Sequence, residues 1–523
     1  MHIFRKIIFI LFCSLSVFSK TPEDILKFTP ELEEYISETL KEWVAPGCAI
    51  AIIKDGKIIY AKGFGLREFD AEEKIDAHTV FQIASCSKPF LAALIAKLVD
   101  EGKLSWDDKV TKYIPEFILS DDAVTKEMTI LDLVTHRSGL KGFSGDTLWN
   151  LHFSQSELIE GLRYIPLTHK HREQYSYQNH MFGIASIIVE RVTHKSISEL
   201  FDKYFFKPLA MENASTGIKK MQRKFWQLLH KSNIAYPHDV RDGKIYKKPI
   251  TEEIYLFEGS SGVNASVTDM AKWLLAQLND LQINGTPFLS HDTLNFIRTP
   301  KVNVTNIRSG DIQFPEDRFS DVAYCLGWFH QTYGVGDKKI NFYSHMGAFN
   351  GVRSYMLFSP KERLGFVILS NFGSMRVSLL PEGLRSKFLD LYLDLPKVDW
   401  TKKVYNATNM IRKSNRQYHE MERLRYPMAK SATENYVGTY HNDLYGKIEI
   451  IMENHDLWMV YRKNRMKLTH WNGNAFRFKP YELTRTYSDH DENEVSFEIE
   501  NNMAKKLMVG AMFEGKNPIF TRQ

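Results

Sequence analysis

Cysteine is scarce. Four occur in 523 residues, Cys13, Cys48, Cys86 and Cys325. They are too few and too widely spaced for a disulfide framework or a set of zinc ligands. His-Glu-x-x-His is missing, which argues against a zinc peptidase. Gly-x-Ser-x-Gly is missing, which argues against the nucleophile elbow of an α/β-hydrolase. The expectation is therefore no metal and no cofactor. Neither sign of charge is in excess: 68 Lys and Arg against 63 Asp and Glu leave +5. That is too little for a general pull toward nucleic acid. The basic stretch from Arg412 to Arg425 reads as a solvated face, and there is no clear internal repeat.

Long apolar runs are also scarce. Ile7 to Phe18, behind Arg5 and Lys6, is too short for a comfortable membrane span. With Ser19 after it, the run predicts a cleaved secretory signal over residues 1–19 and a periplasmic or secreted protein. The alternative is an uncleaved N-terminal anchor, the one route to membrane contact. Phe12 is too bulky to precede a lipid-modified Cys13. Cleavage leaves three cysteines, and Cys86 reads as a small packing residue.

The chain has ample material for a large core. Glu31 to Trp43 predicts an amphipathic helix. Ala49–Ile53 and Ile58–Ala61 flank Lys54-Asp55-Gly56-Lys57, a strong hairpin signal. Phe90 to Val99 predicts a helix buried nearly all round. Thr129-Ile130-Leu131 opens a short helix, and Ser138 to Gly145 is a Gly- and Ser-rich loop. A second apolar helix runs from Met181 to Val192. Residues 215–258 read as a polar insertion or lid, Gly259-Ser260-Ser261-Gly262 as a turn, and Thr268 to Leu278 as a helix. An irregular piece follows from Pro300 to Asp321. Three strand-like runs come next, ending at Gly347, Phe358 and Ser370, then a helix near Leu379 to Leu393. Hairpin first, helices in the middle and strands last predict an α+β domain. Its antiparallel sheet is built from both ends, around an inserted helical region. Residues 398–432 read as a linker, and 433–523 as a small all-β, barrel-like domain.

Three stretches carry chemistry. Pro89 fits only the first turn of a helix, so the Phe90 helix should start close to Ser85. Ser85 and Lys88 then lie about one turn apart on one face. A hydroxyl with an amine beside it, at a helix N-terminus, can be activated as a nucleophile. Read alone, Ser85 is more readily a helix N-cap than a nucleophile. Ser138 and Lys141 repeat the spacing, but with no helix behind them. Tyr177 and Asn179 stand two apart on a turn before the Met181 helix. His345 and Gly347 end an edge-like strand, where a glycine lets backbone approach a ligand.

In this order and at these separations, Ser85-x-x-Lys88, Tyr177-x-Asn179 and His345-x-Gly347 resemble the serine penicillin-recognising superfamily. The likeness is to its class C β-lactamase branch, with DD-peptidase, D-aminopeptidase and esterase relatives. Leu133 to Leu140, Lys207 to Met211 and the closing hairpin from Gly351 to Asn371 match as well. The resemblance covers roughly residues 25–395, so a hydrolase domain is expected over 20–397. The last domain resembles a β-domain appended to some members.

The resemblance implies acyl transfer. Ser85 attacks a carbonyl, and Lys88 or Tyr177 takes its proton. Lys88 can do so only if burial keeps it neutral, Tyr177 only if nearby cations lower its pKa. Asn179 orients Lys88 and a substrate amide. The amides of Ser85 and Ala348 form the oxyanion hole. The chain departs from the classical β-lactamase pattern at His345, where those enzymes have Lys; some peptidases and esterases of the family carry His, so hydrolysis stays plausible while the case for β-lactam turnover weakens. Arg353 is a candidate to supply the missing charge. The expected substrate is a small molecule or peptide with an amide, peptide or ester bond, a cell-wall D-peptide among them. The alternative is a non-catalytic penicillin-recognising sensor or scaffold.

Overall fold

The computed structural model describes residues 19–218, 221, 232–241, 244–304, 318–373, 379–406, 427–479, 493–510 and 518–523. The expected signal core and the basic stretch from Arg412 to Arg425 lie outside the described residues. Among those described, no helix is long and apolar enough to cross a membrane.

Helix α1 (Pro22–Glu42) starts nine residues earlier than expected. The reason is local: Thr21 and Asp24 form a capping box that satisfies the first amides. The hairpin of β1 (Gly47–Lys54) and β2 (Lys57–Gly65) follows. Asp55 and Gly56 both have positive φ, 49° and 79°, as a two-residue turn between twisted strands requires. Next come α2 (Lys88–Asp100), α3 (Asn179–Thr193) and α4 (Val267–Leu278). The chain then forms β3 (Val302–Asn303), β4 (Phe319–Tyr324), β5 (Phe329–Val335), β6 (Lys338–Phe349), β7 (Val352–Ser359), β8 (Leu364–Ser370) and α5 (Leu380–Tyr392).

These strands form one sheet in the order β3-β4-β5-β6-β7-β8-β1-β2. The early strand β1 lies antiparallel to the late β8, from Cys48 opposite Ser370 to Lys54 opposite Leu364. Every residue of β1 is buried, and its alternation feeds two cores. Cys48, Ile50 and Ile52 join the core under α1 and α5. Ala49, Ala51 and Ile53 join the core shared with α2 and α4. On that second side Phe90 of α2 stacks on Trp273 of α4 at 4.1 Å. Burial of such a side chain contributes on the order of 1.5–3 kcal/mol. That packing fixes α2, and with it the residues at its N-terminus.

One expected turn is a helix. Glu258–Ser261 is a single helical turn. Gly259 there serves close packing: a Cβ would stand 2.5 Å from the Ser186 hydroxyl of α3. Glycine is read as a turn marker in sequence, but here it lets two helices touch.

The C-terminal β-region is a closed barrel of eight antiparallel strands from Gly438–Asn442 to Ile519–Arg522, with Tyr440 opposite Arg522. It packs on the stretch after the Gly-rich loop. Arg462 donates to the His152 carbonyl (3.1 Å) and Glu157 (2.7 Å) and lies 4.0 Å from the Phe153 ring centre.

Candidate active site

Ala84–Ser87 form a short 3₁₀ turn that leads into α2. The α-helix proper starts at Lys88, later than the Pro89 signal suggests, because this tighter turn intervenes. Ala84 sits at φ 47°, a left-handed conformation that costs a non-glycine residue about 1–3 kcal/mol and collects at functional sites. Ser85 caps neither helix. Its hydroxyl instead accepts a hydrogen bond from the Lys88 ammonium or amine at 3.1 Å.

Lys88 is fully buried. Its Nζ also reaches the Asn179 side-chain oxygen (2.6 Å) and the carbonyl and hydroxyl of Ser260, both at 3.1 Å. Burial pulls its pKa down to about 7, against the opposing pull of Asp146. The neutral amine is thus well populated near neutral pH. Tyr177 lies over Lys88, with Nζ 4.9 Å from the ring centre, and its phenol faces the Ser85 side chain. Burial outweighs the influence of that neighbour and drives the phenol far above its ordinary pKa. Of the two candidates for proton acceptor, Lys88 has the matching acidity and Tyr177 stays protonated.

Strand β6 closes the other side. The His345 carbonyl is 3.4 Å from the Cys86 sulfur, and Gly347 sits against the Ile83 carbonyl. His345 and Tyr177 have ring centres 6.4 Å apart. All three sequence motifs therefore meet, and Ala348 follows Gly347 on the strand that flanks the Ser85 turn. Cys86 is buried, its thiol pushed up to about 12 chiefly by that burial. It packs, as the sequence implies.

His345 is buried and held down to about 3 by that burial and by Lys88. Its Nδ1 is 2.7 Å from the Met346 carbonyl, which can only accept, so the ring proton sits on Nδ1. Nε2 is left as an acceptor, with no hydrogen-bond partner among the described residues. Arg353 does not replace the missing charge. It is buried on β7 and donates to Glu382 of α5 at 2.6 and 3.2 Å. The expected substrate-facing cation is not found, because the β7 side chain points into a core instead of the cleft.

Two residues at the site carry no sequence motif. Ser260 reaches Lys88 from the Glu258–Ser261 turn. Asp146, just past the Gly-rich loop, accepts from the Asn179 Nδ2 at 2.7 Å. A carboxylate closing a Gly/Ser loop ahead of an apolar helix is the only, weak, sequence signal for it.

The Beta-lactamase family matches residues 32–379, the majority of the chain. The chain belongs to that family. Residues 425–517 match a second family, a domain of unknown function known as DUF3471. An unguisins hydrolase of Aspergillus violaceofuscus is 25% identical over 449 residues, covering 81% of this chain and 76% of that protein. Protein flp of Staphylococcus aureus strain N315 is 27% identical over 365 residues, 69% of this chain and 66% of its own length. Among solved structures, the octameric penicillin-binding protein homologue from Pyrococcus abyssi is similar at a TM-score of 0.59. Its identity is 21%, over 94% of this chain and all of that one. A class C β-lactamase gives a TM-score of 0.55 at 18% identity, over 72% of this chain and 98% of that one. These two structures share the fold of this β-lactamase-family hydrolase.

Proposed function

We propose that this chain cleaves an ester or amide through an acyl-enzyme on Ser85. The observation that carries the reading is the 3.1 Å hydrogen bond between Ser85 and a buried Lys88 whose pKa lies at about 7. Neutral Lys88 takes the hydroxyl proton as Oγ attacks the carbonyl carbon. The tetrahedral oxyanion is held by the backbone amides of Ser85 and Ala348. The protonated Tyr177 phenol gives its proton to the leaving group, and Lys88 resupplies it. Water then attacks the acyl carbon, again losing its proton to Lys88, and Ser85 is regenerated. Asn179 holds the amine in place.

The preferred substrate lacks a carboxylate beside the scissile bond. An uncharged His345 with a free acceptor suits an N–H or O–H group, and Arg353 is engaged by Glu382. This favours esters and peptide amides over penicillins. In the same reading the leader over residues 1–19 sends the chain to the periplasm or outside the cell.

Mass spectrometry after exposure to a fluorophosphonate and, separately, to a penicillin tests both parts. The expected result is a phosphonylated Ser85 and little penicilloyl adduct. Nitrophenyl ester turnover should exceed that of a chromogenic cephalosporin. An unlabelled Ser85 in folded protein would refute the acyl-enzyme reading.

A further inference from the structure

Lys88 does not stand alone in its buried site. Its Nζ meets Asn179 Oδ1 at 2.6 Å, and Asn179 Nδ2 meets Asp146 Oδ2 at 2.7 Å. One carboxamide therefore separates an amine from a carboxylate. The amide can bridge them in only one orientation, oxygen to the amine and nitrogen to the carboxylate. The other Asp146 oxygen has no hydrogen-bond partner among the described residues. Asp146 retains 14% of its side-chain exposure, on a stretch wedged between α3 and the barrel contact at His152 and Glu157.

We infer that Asp146 is a positioning residue for the reaction: it fixes the orientation of Asn179 and, across that amide, sets the protonation of Lys88. The inference rests on the acyl-enzyme reading above.

The groups that face the pair are few. His180 of α3 stands 4.0 Å from Asp146 and is held neutral by burial, at about 3. Its Nε2 accepts from the Trp149 indole at 3.1 Å. His136 and His345, both kept neutral mainly by burial, and the protonated Tyr177 and Cys86 surround Lys88. None of these offers a competing charge near neutral pH. Asp146 is itself pushed up to about 7 by burial, against its Asn179 bond and the Lys88 charge. The two groups therefore titrate as a coupled pair: each proton bound by one changes the affinity of the other. An ionised Asp146 favours ammonium on Lys88, and a protonated Asp146 favours the free amine.

The test is the pH profile of fluorophosphonate labelling and of kcat/KM on a nitrophenyl ester. In Asp146→Asn no carboxylate can favour the ammonium. The acid limb should move toward lower pH by about one unit, and the plateau should fall several-fold because the new amide can pair with Asn179 in either orientation. An unmoved acid limb, whatever the plateau, overturns the inference. A second measurement keeps Asp146 in place. In the folded full-length chain the infrared band of a buried protonated carboxyl should fade with rising pH. In Lys88→Met its midpoint should be higher, since the cation that favours the carboxylate is gone. An identical midpoint in both chains overturns the coupling even if Asp146→Asn fails to fold. Absence of Ser85 labelling in the unmutated chain would instead defeat the acyl-enzyme reading.

Discussion

Gly347 and Ile83 touch so closely that a Cβ on the glycine would stand 2.1 Å from the Ile83 carbonyl oxygen and 2.2 Å from the Ser354 hydroxyl. The Ser354 hydroxyl already donates to that carbonyl at 2.7 Å. The strand that carries His345 and Ala348 is thus seated on the residue two before Ser85. Gly347→Ala must push β6 away from the Ser85 turn. Activity should fall at least about a hundredfold, as for loss of an oxyanion donor, while circular dichroism stays native. Near-normal kcat would show that the seat is not needed.

Lys88 should govern the acidic side of the rate profile. In the proposed mechanism the amine is the active form and the ammonium is not, so kcat/KM should rise with pH through about 7. Lys88→Arg keeps a cation that cannot lose its proton and should cost about 10²–10⁴-fold. Stopped-flow acylation across pH measures both effects.

Tyr177→Phe should separate substrates by leaving group. An amine must be protonated to leave, whereas nitrophenolate departs unaided. The variant should lose about 10²–10⁴-fold on an anilide or peptide and far less on a nitrophenyl ester. The acid limb should stay in place, because the Tyr177 phenol titrates far above it. Equal losses on both substrates would count against a proton-donor role.

Arg353 and Glu382 should report on stability and leave substrate choice alone. Both side chains are at most 6% exposed. Arg353→Ala leaves a carboxylate buried without its cation, a loss of about 3–5 kcal/mol. Urea unfolding should show a lower midpoint, with the ratio of ester to cephalosporin turnover unchanged. A changed ratio would mean that the guanidinium does meet substrate.

Acid should destabilise the fold before most carboxylates titrate. His345 and His180 are held at about 3 and His136 well below its ordinary value, whereas unfolded histidine titrates near ~6.5. Below that pH the unfolded chain binds protons that the folded chain refuses, so stability falls as pH drops. Asp146 has the opposite sign: its raised pKa adds stability between about 7 and 4. Three histidines against one aspartate leave a net loss. Melting temperature should decline from pH 7.5 to 5, and a rise over that range would contradict the buried neutral rings.

The sequence alone determined what is local. Asp55-Gly56 dictated a hairpin turn, an apolar run dictated a helix buried nearly all round, and three short motifs marked segments that the fold brings together. These signals act over a few residues, so they survive being read without partners. Only the tertiary structure decided the rest. Ser260 and Asn179 reach Lys88 across 172 and 91 positions, and Asp146 joins them with no motif of its own. That Lys88 is drawn toward the neutral amine while Tyr177 is held protonated depends on how much water each loses. Whether Arg353 faces substrate depends on Glu382, 29 positions away. Desolvation and pairing are properties of the assembled core, and no stretch of chain carries them by itself.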